Sequence, residues 1–222
     1  MDSRKHIFVV VSGKKQHGKN YFADRLLNAL LIEDISATCT AFASPIKNFC
    51  NDVFGIPFED METEHGKQKP THLRWCDLSA KLDVEIGDDR VEAFVTIREL
   101  LQIIGTEVFR EGFYGPIWAE APFLKKHRFK ALMQTLPYDV VIITDCRFPN
   151  EVEESKKNNA FLVRVEMIDA KDSGDTHISE TALDDWVWKW NEVALNTGEP
   201  ECFDKYINKI LLPRIKGKLY GN

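Results

Sequence analysis

Five short segments rich in apolar and β-branched residues recur along the chain, and each has the length of a β-strand. They lie at residues 6–12, 37–43, 139–144, 161–166 and 192–195. The first is continuous and rich in valine, as are strands that are covered on both faces of a parallel sheet. We expect these segments to form one mainly parallel five-stranded sheet.

Between these segments, apolar residues recur with helical spacing. Helices are predicted at residues 22–31, 45–53, 97–108, 116–126, 149–159 and 203–215. Pro45 suits the first turn of its helix, and Thr96 is a suitable N-cap. Pro213 predicts a kink in the last helix. Strands that alternate with helices indicate an α/β fold with the sheet between two helical layers.

Residues 59–95 interrupt this alternation. They are polar, contain Pro70 and carry an acidic patch at residues 83–92. We interpret them as an excursion from the sheet that contributes to a substrate-binding lobe. The 222 residues otherwise match one domain, since a domain commonly has roughly 150 residues.

Composition narrows the class of protein without identifying it. Hydrophobic residues make up 44% and charged residues 29% of the chain, which is typical of globular proteins. No apolar run approaches the roughly 18 residues of a membrane helix, and no signal peptide is evident. A net charge of −6 argues against a nucleic-acid-coating protein, and five cysteines without a CxxC pair indicate a reducing compartment. We expect a cytoplasmic protein.

Gly13–Asn20, with the sequence GKKQHGKN, fits the phosphate-loop pattern G-x-x-x-x-G-K between a strand and a helix. Glycines allow backbone N–H groups to converge on phosphate oxygens, and the helix N-terminus adds partial positive charge. Lys19 would reach the β- and γ-phosphates. Asn20 replaces the usual Ser or Thr and could ligate Mg²⁺ directly or through water. The candidate cofactor-binding residues here are Gly13, Lys15, His17, Gly18, Lys19, Asn20 and Tyr21.

Asp145 follows the predicted strand 139–144 at its carboxyl end, where ligands of open α/β sheets bind. Its carboxylate could hold Mg²⁺ or accept a proton, and Arg147 could bind phosphate with a bidentate fork. A plain ion pair between Asp145 and Arg147 is the structural alternative.

Four polar residues follow the helix that begins after Thr96 at intervals of four residues: Arg98, Gln102, Thr106 and Arg110. They are offset from the apolar face and could contact a polar ligand. Gly105 would let a flat group approach the backbone closely. A solvated helix face is the alternative interpretation.

Several of these blocks occur together in one family. They are Gly13–Asn20, the block ASPIK at residues 43–47, RELLQIIGTE at residues 98–107, Trp118, DCRFPNE at residues 145–151, and HISE at residues 177–180. In this order they resemble the bacteriophage deoxynucleoside monophosphate kinases, members of the P-loop nucleotide-kinase group. The resemblance extends from about Phe8 to Asn196.

The resemblance implies a three-layer P-loop kinase fold, with ATP and Mg²⁺ as cofactors and a deoxynucleoside monophosphate as the small-molecule substrate. Residues 45–130 would form a helical acceptor-binding lobe, and residues at about 168–190 a lid-like segment. Lys19, Asp145 and Arg147 would be catalytic, with Asn20 and Asp145 near the metal and Asn196 near the donor base. The substrate would contact Lys47, Arg98, Gln102, Thr106, Arg110, Trp118, Asp145 and Arg147.

Two other classes of function remain open at this point. One is a P-loop kinase for a different small phosphate acceptor, such as phosphomevalonate, and the other is a nucleotide-binding module without catalysis. The acceptor base, the roles of His177 and Glu180, and a homodimer as opposed to a monomer also stay open. Neither a nucleic acid nor a membrane is an expected partner.

Overall fold

A computed structural model describes the chain in five stretches, namely residues 6–78, 90–131, 138–168, 181–186 and 190–221. For residues 125–131 it describes the backbone alone. The predictions for His177 and Glu180, for most of the lid-like segment 168–190, and for most of the acidic patch 83–92 therefore lie outside the described residues.

The described strands are β1 (Ile7–Ser12), β2 (Ala37–Thr40), β3 (Pro70–Arg74), β4 (Phe94–Thr96), β5 (Val140–Cys146), β6 (Phe161–Met167) and β7 (Glu192–Asn196). Five of them form one sheet in the order β2-β5-β1-β6-β7, and every neighbouring pair is parallel. The predicted α/β class and its five-stranded sheet are confirmed. Strand β2 ends at Thr40 and not at residue 43, because the chain turns there into a helix that begins at Ser44.

The described helices are α1 (Lys19–Ile32), α2 (Ser44–Phe54), α3 (Phe58–Glu62), α4 (Glu64–Lys67), α5 (Ile97–Ile103), α6 (Ile117–Ala131), α7 (Pro149–Lys157), α8 (Cys202–Tyr206) and α9 (Leu212–Tyr220). Two π-helical segments, Ile104–Glu111 and Ile207–Leu211, continue α5 and α8. The second of these precedes Pro213, whose nitrogen cannot donate to the preceding turn. The last helical region therefore contains a wide turn near the predicted kink and extends to Tyr220.

Alternate residues of β1 explain why helices cover both faces of the sheet. Ile7, Val9 and Val11 belong to a core that includes residues of α1, α8 and α9. Phe8 and Val10 belong to a second core, to which α6 and α7 contribute Phe123 and Val152. The sheet is therefore the middle layer of three, as the continuous apolar sequence of β1 predicts.

The chain divides into two compact units. The first consists of residues Met1–Phe42 and Ala119–Asn222 and contains the parallel sheet. The second is Ala43–Trp118. Its core joins α2, α3 and α5 with the antiparallel pair β3–β4, through residues such as Cys50, Met61, Val95 and Leu100.

The polar region 59–95 is thus more regular than its sequence indicates. Its described part holds α4 and most of α3, and β3 pairs with β4 at its far end. Thr96 is the N-cap of α5, as predicted: its hydroxyl accepts from the Glu99 N–H, and the Glu99 carboxylate accepts from the Thr96 N–H at 2.8 Å. This reciprocal capping fixes where α5 begins.

Candidate functional site

Two glycines shape the phosphate loop, Gly13–Asn20, which connects β1 to α1. Gly13 has φ +151°, and a Cβ there would lie 2.5 Å from the carbonyl oxygen of Val165. Gly18 has φ +90°, and a Cβ there would lie 2.5 Å from Nδ2 of Asn196. A side chain at either position would collide with a neighbour, so this path requires glycine at both ends of the motif.

Lys19, the first residue of α1, is the buried cation of this loop. It is 9% exposed, and its Nζ donates to the carbonyl oxygen of Lys14 at 2.6 Å. The ammonium is thus folded back across the loop at the N-terminal end of a 14-residue helix. A lysine and a helix N-terminus in this arrangement attract the same ligand, an anionic phosphate chain.

Asn196, at the end of β7, fixes the loop by hydrogen bonds. Its Nδ2 donates to the carbonyl oxygen of His17 at 3.0 Å, and its Oδ1 accepts from the Gly198 N–H at 2.9 Å. The residue is buried. Because both ends of the amide bind the protein itself, the geometry gives Asn196 a positioning role for the loop, whereas the sequence suggests a contact with the donor base.

His17 lies inside a positive field. Burial lowers the pKa of its imidazole, and the nearby Lys19, Arg164 and Lys14 lower it further, against a hydrogen bond to the Val165 backbone. Its Nδ1 accepts from the Met167 N–H at 3.4 Å. The imidazole is therefore mainly neutral at pH 7, and the positive charge at the loop comes from the two lysines and Arg164.

Arg164 is a functional candidate that the sequence analysis missed. It lies within the apolar strand β6, pairs in register with Ser12, and is 7% exposed. Its Nη1 donates to Oγ of Ser12 at 3.0 Å, and Asp184 lies within ion-pair distance of both Arg164 (3.7 Å) and Lys14 (2.9 Å). The available signal was an arginine among fully apolar strand neighbours, because a charge is rarely buried without a partner.

Strand β5 extends to Cys146, so Asp145 lies within the strand as its penultimate residue and not after it, and Arg147 follows the strand. The strand adjoins β1 so that Ser12 pairs with Cys146. Oδ1 of Asp145 accepts from the Phe42 N–H at 2.5 Å. The N–H of Arg147 donates to the buried carboxylate of Glu151 at 2.7 Å, inside the capped start of α7. Backbone hydrogen bonds thus hold the carboxyl end of β5 beside the phosphate loop.

Oxygen ligands for Mg²⁺ are sparse near the phosphate loop among the described residues. Across the described stretches, no group of three or more His, Cys, Asp and Glu side chains could hold a metal ion. Mg²⁺ usually binds through one or two carboxylates together with substrate phosphates and water. A single carboxylate at the end of β5, Asp145, matches that donor set.

The remaining candidates are Lys15 in the loop, and Asn20 and Tyr21 in the first turn of α1. Lys15 and Asn20 are exposed. The hydroxyl of Tyr21 donates to the Pro200 carbonyl oxygen at 2.5 Å, and its ring lies 6.1 Å from that of Phe203. Tyr21 therefore ties the first turn of α1 to the connection between β7 and α8.

In the second unit, two of the predicted acceptor-site cations, Lys47 and Arg98, are held by carboxylates. Nζ of Lys47, on α2, lies 2.7 Å from Oε1 of Glu62. Nη2 of Arg98, on α5, lies 2.9 Å from Oε2 of Glu64. Both glutamates are mostly exposed, so these pairs are weakly held and easily exchanged for another anion.

The polar residues of α5 do not follow one straight helical stripe. Arg98 and Gln102 lie on α5, but Thr106 and Arg110 lie in the π-helical segment, where i→i+5 bonds replace the α-helical pattern. The sequence predicts that a flat group approaches the backbone at Gly105, and in the structure the side chain of Ile46 approaches it. A Cβ there would meet Ile46 at 3.3 Å.

Trp118 is buried beside this π-helical segment. Its indole Nε1 donates to the carbonyl oxygen of Gly105 at 2.7 Å, and its ring lies 5.3 Å from that of Phe109. A direct contact with a substrate stays a prediction for Trp118. Its contacts with Gly105 and Phe109 give Trp118 a role in holding the π-helical turn.

No helix in the described part of the chain is both long and apolar enough to cross a membrane.

A family model described as deoxynucleotide monophosphate kinase matches residues 84–201, which is more than half of the chain. A protein of Acanthamoeba polyphaga mimivirus, provisionally named a deoxynucleotide monophosphate kinase, is 26% identical over 182 residues. That alignment covers 80% of this chain and 82% of the mimivirus protein.

Proposed function

Because the chain belongs to the deoxynucleotide monophosphate kinase family, we propose that it transfers the γ-phosphoryl group of ATP to a deoxynucleoside monophosphate. The product would be the deoxynucleoside diphosphate, a DNA precursor. The observation that carries the proposal is the phosphate loop with Lys19 buried at the start of α1, in a chain whose family acts on a nucleotide.

Donor binding is assigned to the first unit. The phosphate loop would receive the triphosphate, with Lys19 on its β- and γ-phosphates and Lys14 and Arg164 adding positive charge. Asn196 and Gly18 keep the loop in its binding conformation. Lys15 in the loop and Asn20 and Tyr21 at the exposed start of α1 complete the set of residues assigned to ATP.

Mg²⁺ is the proposed metal, with Asp145 and Asn20 as its protein-side contacts, direct or through water. When bound, Mg²⁺ neutralises charge on the transferring phosphates. The carboxylate of Asp145 is oriented by the Phe42 N–H, which donates to it from the connection that follows β2.

Acceptor binding is assigned to residues 45–130, with Lys47 and Arg98 on the acceptor phosphate. Gln102, Thr106, Arg110 and Trp118 are the proposed neighbours of its base or sugar. Each cation here is paired with an exposed glutamate, which a doubly charged phosphate can replace.

The proposed chemistry is in-line transfer without a covalent enzyme intermediate. Phosphoryl transfer between two anionic nucleotides depends mainly on positioning and on charge neutralisation. Lys19, Arg147 and Arg98 would supply positive charge. Asp145 would hold Mg²⁺, directly or through water, or accept the remaining proton of an acceptor phosphate that binds as the monoanion.

The test is a panel of deoxyribo- and ribonucleoside monophosphates, each incubated with ATP and Mg²⁺, with nucleoside diphosphates separated by chromatography. We expect conversion of at least one deoxynucleoside monophosphate. ATP hydrolysis without transfer to any nucleotide would reject the proposal. Transfer only to phosphomevalonate, included in the same panel, would replace it by a different small-molecule kinase.

A further inference from the structure

The second unit contains a third cation beside the two assigned to the acceptor phosphate. Lys67 is the last residue of α4, and its side chain is 23% exposed. Its Nζ lies 3.8 Å from Oε1 of Glu64, the carboxylate whose other oxygen lies 2.9 Å from Arg98. Lys67 and Arg98 thus share one glutamate.

These five side chains form one group, which we name the acceptor cluster: Lys47, Lys67 and Arg98, with Glu62 and Glu64. The cations come from α2, α4 and α5, and the carboxylates from α3 and α4. Three positive and two negative charges leave an excess of one positive charge. An anion that enters the group meets a net attraction.

The electrostatics of Lys67 agree with this grouping. Burial lowers the pKa of its ammonium, Glu64 and Glu62 oppose that effect, and Lys47 and Arg98 lower it further. Repulsion from two neighbouring cations disfavours the charged form of a lysine, and an anion bound among the three cations offsets that repulsion. A phosphate is such an anion, since it can accept from all three cations at once.

Local structure holds Lys67 in place. Thr63 caps α4, its hydroxyl accepting from the Gly66 N–H at 3.0 Å. Beyond the helix, Lys69 is paired with a different carboxylate, that of Asp60, at 2.6 Å. Two lysines two residues apart therefore have different surroundings, although both lie in the same short segment.

We propose that Lys67 is a further acceptor-phosphate ligand, and that Glu62 and Glu64 hold the three cations of the acceptor cluster until the phosphate replaces them. This rests on the proposed function, and it adds a residue outside the stretch 84–201 that matches the family model.

The experiment compares Lys67→Met with Lys69→Met in the full chain. Steady-state KM values are measured for the best deoxynucleoside monophosphate and for ATP, and binding of the monophosphate and of its parent deoxynucleoside is measured by calorimetry. Loss of one charge-assisted hydrogen bond to phosphate should raise KM and Kd for the monophosphate by about 10- to 100-fold in Lys67→Met. The KM for ATP, the binding of the deoxynucleoside and all values of Lys69→Met should stay near wild type.

Two further variants separate charge from folding. Lys67→Arg keeps the cation and should restore monophosphate binding even if Lys67→Met lowers Tm. Glu64→Gln removes a competing carboxylate and should lower the KM for the monophosphate, the opposite direction from Lys67→Met.

Equal monophosphate affinity in Lys67→Met and Lys69→Met would overturn the inference while the proposed function stands. An equal loss for monophosphate and deoxynucleoside in Lys67→Met would also overturn it, because the lysine would then act on the fold and not on the phosphate. If wild type binds a monophosphate but transfers nothing, the proposed function fails and the calorimetric comparison still decides the role of Lys67. If wild type neither binds nor phosphorylates any monophosphate, both proposals fail.

Discussion

The phosphate loop and the acceptor cluster both contain cations with carboxylates near them, but they are encoded in different ways. In the loop, eight consecutive residues carry the motif, and Asp184 lies near Lys14 and Arg164. In the acceptor cluster, the cations stand on three separate helices, and Glu62 and Glu64 lie near them. One site is evident in a short stretch of sequence, whereas the other exists only after folding.

The difference follows from what each geometry needs. A loop that presents backbone N–H groups requires glycines at fixed spacing, because Gly13 and Gly18 each approach a neighbour too closely for a side chain. A cluster of side-chain charges requires no spacing at all. Lysine, arginine and glutamate on short exposed helices look in sequence like an ordinary solvated surface.

Lys19→Ala is the strongest way to separate the two sites. Removing the buried ammonium should lower kcat by about 100- to 1000-fold, the usual cost of losing one preorganised charge-stabilising group. Monophosphate binding measured by calorimetry should stay near wild type, since the acceptor cluster is untouched.

The control for Lys19→Ala is Lys209→Ala, an exposed lysine of the same unit. Circular dichroism and Tm verify that both variants fold. Near-normal turnover of Lys19→Ala would contradict the assignment of the loop to ATP.

Asn196→Ala tests whether the conformation of the phosphate loop depends on a residue outside its eight-residue motif. It removes the hydrogen bond to the His17 carbonyl oxygen and leaves the Gly198 N–H without its partner. We expect KM for ATP to rise about tenfold, together with a loss of about 1–3 kcal/mol in the free energy of unfolding.

Asn191→Ala is the matched control, because Asn191 accepts from the Leu162 N–H at 2.7 Å and has no bond to the loop. It should lower stability by a similar amount without changing KM for ATP. If both variants bind ATP equally well, Asn196 does not position the loop.

Thr96→Ala perturbs the acceptor side through helix α5. Thr96 lies two residues before Arg98, and the substitution breaks its reciprocal capping with Glu99. We expect the free energy of unfolding to fall by about 1 kcal/mol. The KM for the monophosphate should rise a few-fold, with KM for ATP unchanged. A shift in the ATP value alone would mean that α5 serves the donor and not the acceptor.

His17→Gln has the smallest expected effect and probes the positive field of the loop. The pKa of His17 is lowered on folding, so between the folded and unfolded pKa values the unfolded chain binds more protons. Wild-type stability should therefore fall as pH drops below about 6.5, and the variant should lack this part of the loss.

Urea unfolding of wild type and His17→Gln from pH 7.5 to pH 5 measures how the difference in their free energies of unfolding changes with pH. The contributions of the other histidines are the same in both proteins and cancel in this difference. Since the imidazole is only partly buried, solvent screening should keep this difference in the free energy of unfolding below about 1 kcal/mol. A difference of the opposite sign would show that the imidazole gains an anionic partner on folding.

The sequence was most informative where structure depends on local patterns. All five strands of the sheet, the phosphate loop and the Thr96 cap were predictable, because alternation of strands and helices, glycine spacing and capping are local rules. The short helices α3 and α4 and the β3–β4 pair were missed, because polar sequence hides a small core made by scattered residues such as Met61 and Trp75.

The candidate site was predicted less completely than the fold. Arg164 owes its surroundings to residues far away in sequence, and Lys67 shares its local partner Glu64 with the distant Arg98. No spacing rule brings Ser12 to Arg164 or Glu64 to Arg98. The π-helical turn at Ile104–Glu111 also changed the direction of Thr106 and Arg110, since the predicted stripe assumed α-helical rotation throughout.

The hydrogen bond from Asn196 to His17 joins positions 179 residues apart. A chain that stops before β7 contains the whole GKKQHGKN motif but not the side chain that fixes it. Closing so long a loop is costly and slow, so this contact belongs to the completed fold and not to the growing chain. The loop is therefore fixed only after β7 has been synthesised, and a product truncated before β7 would carry the motif without this hydrogen bond.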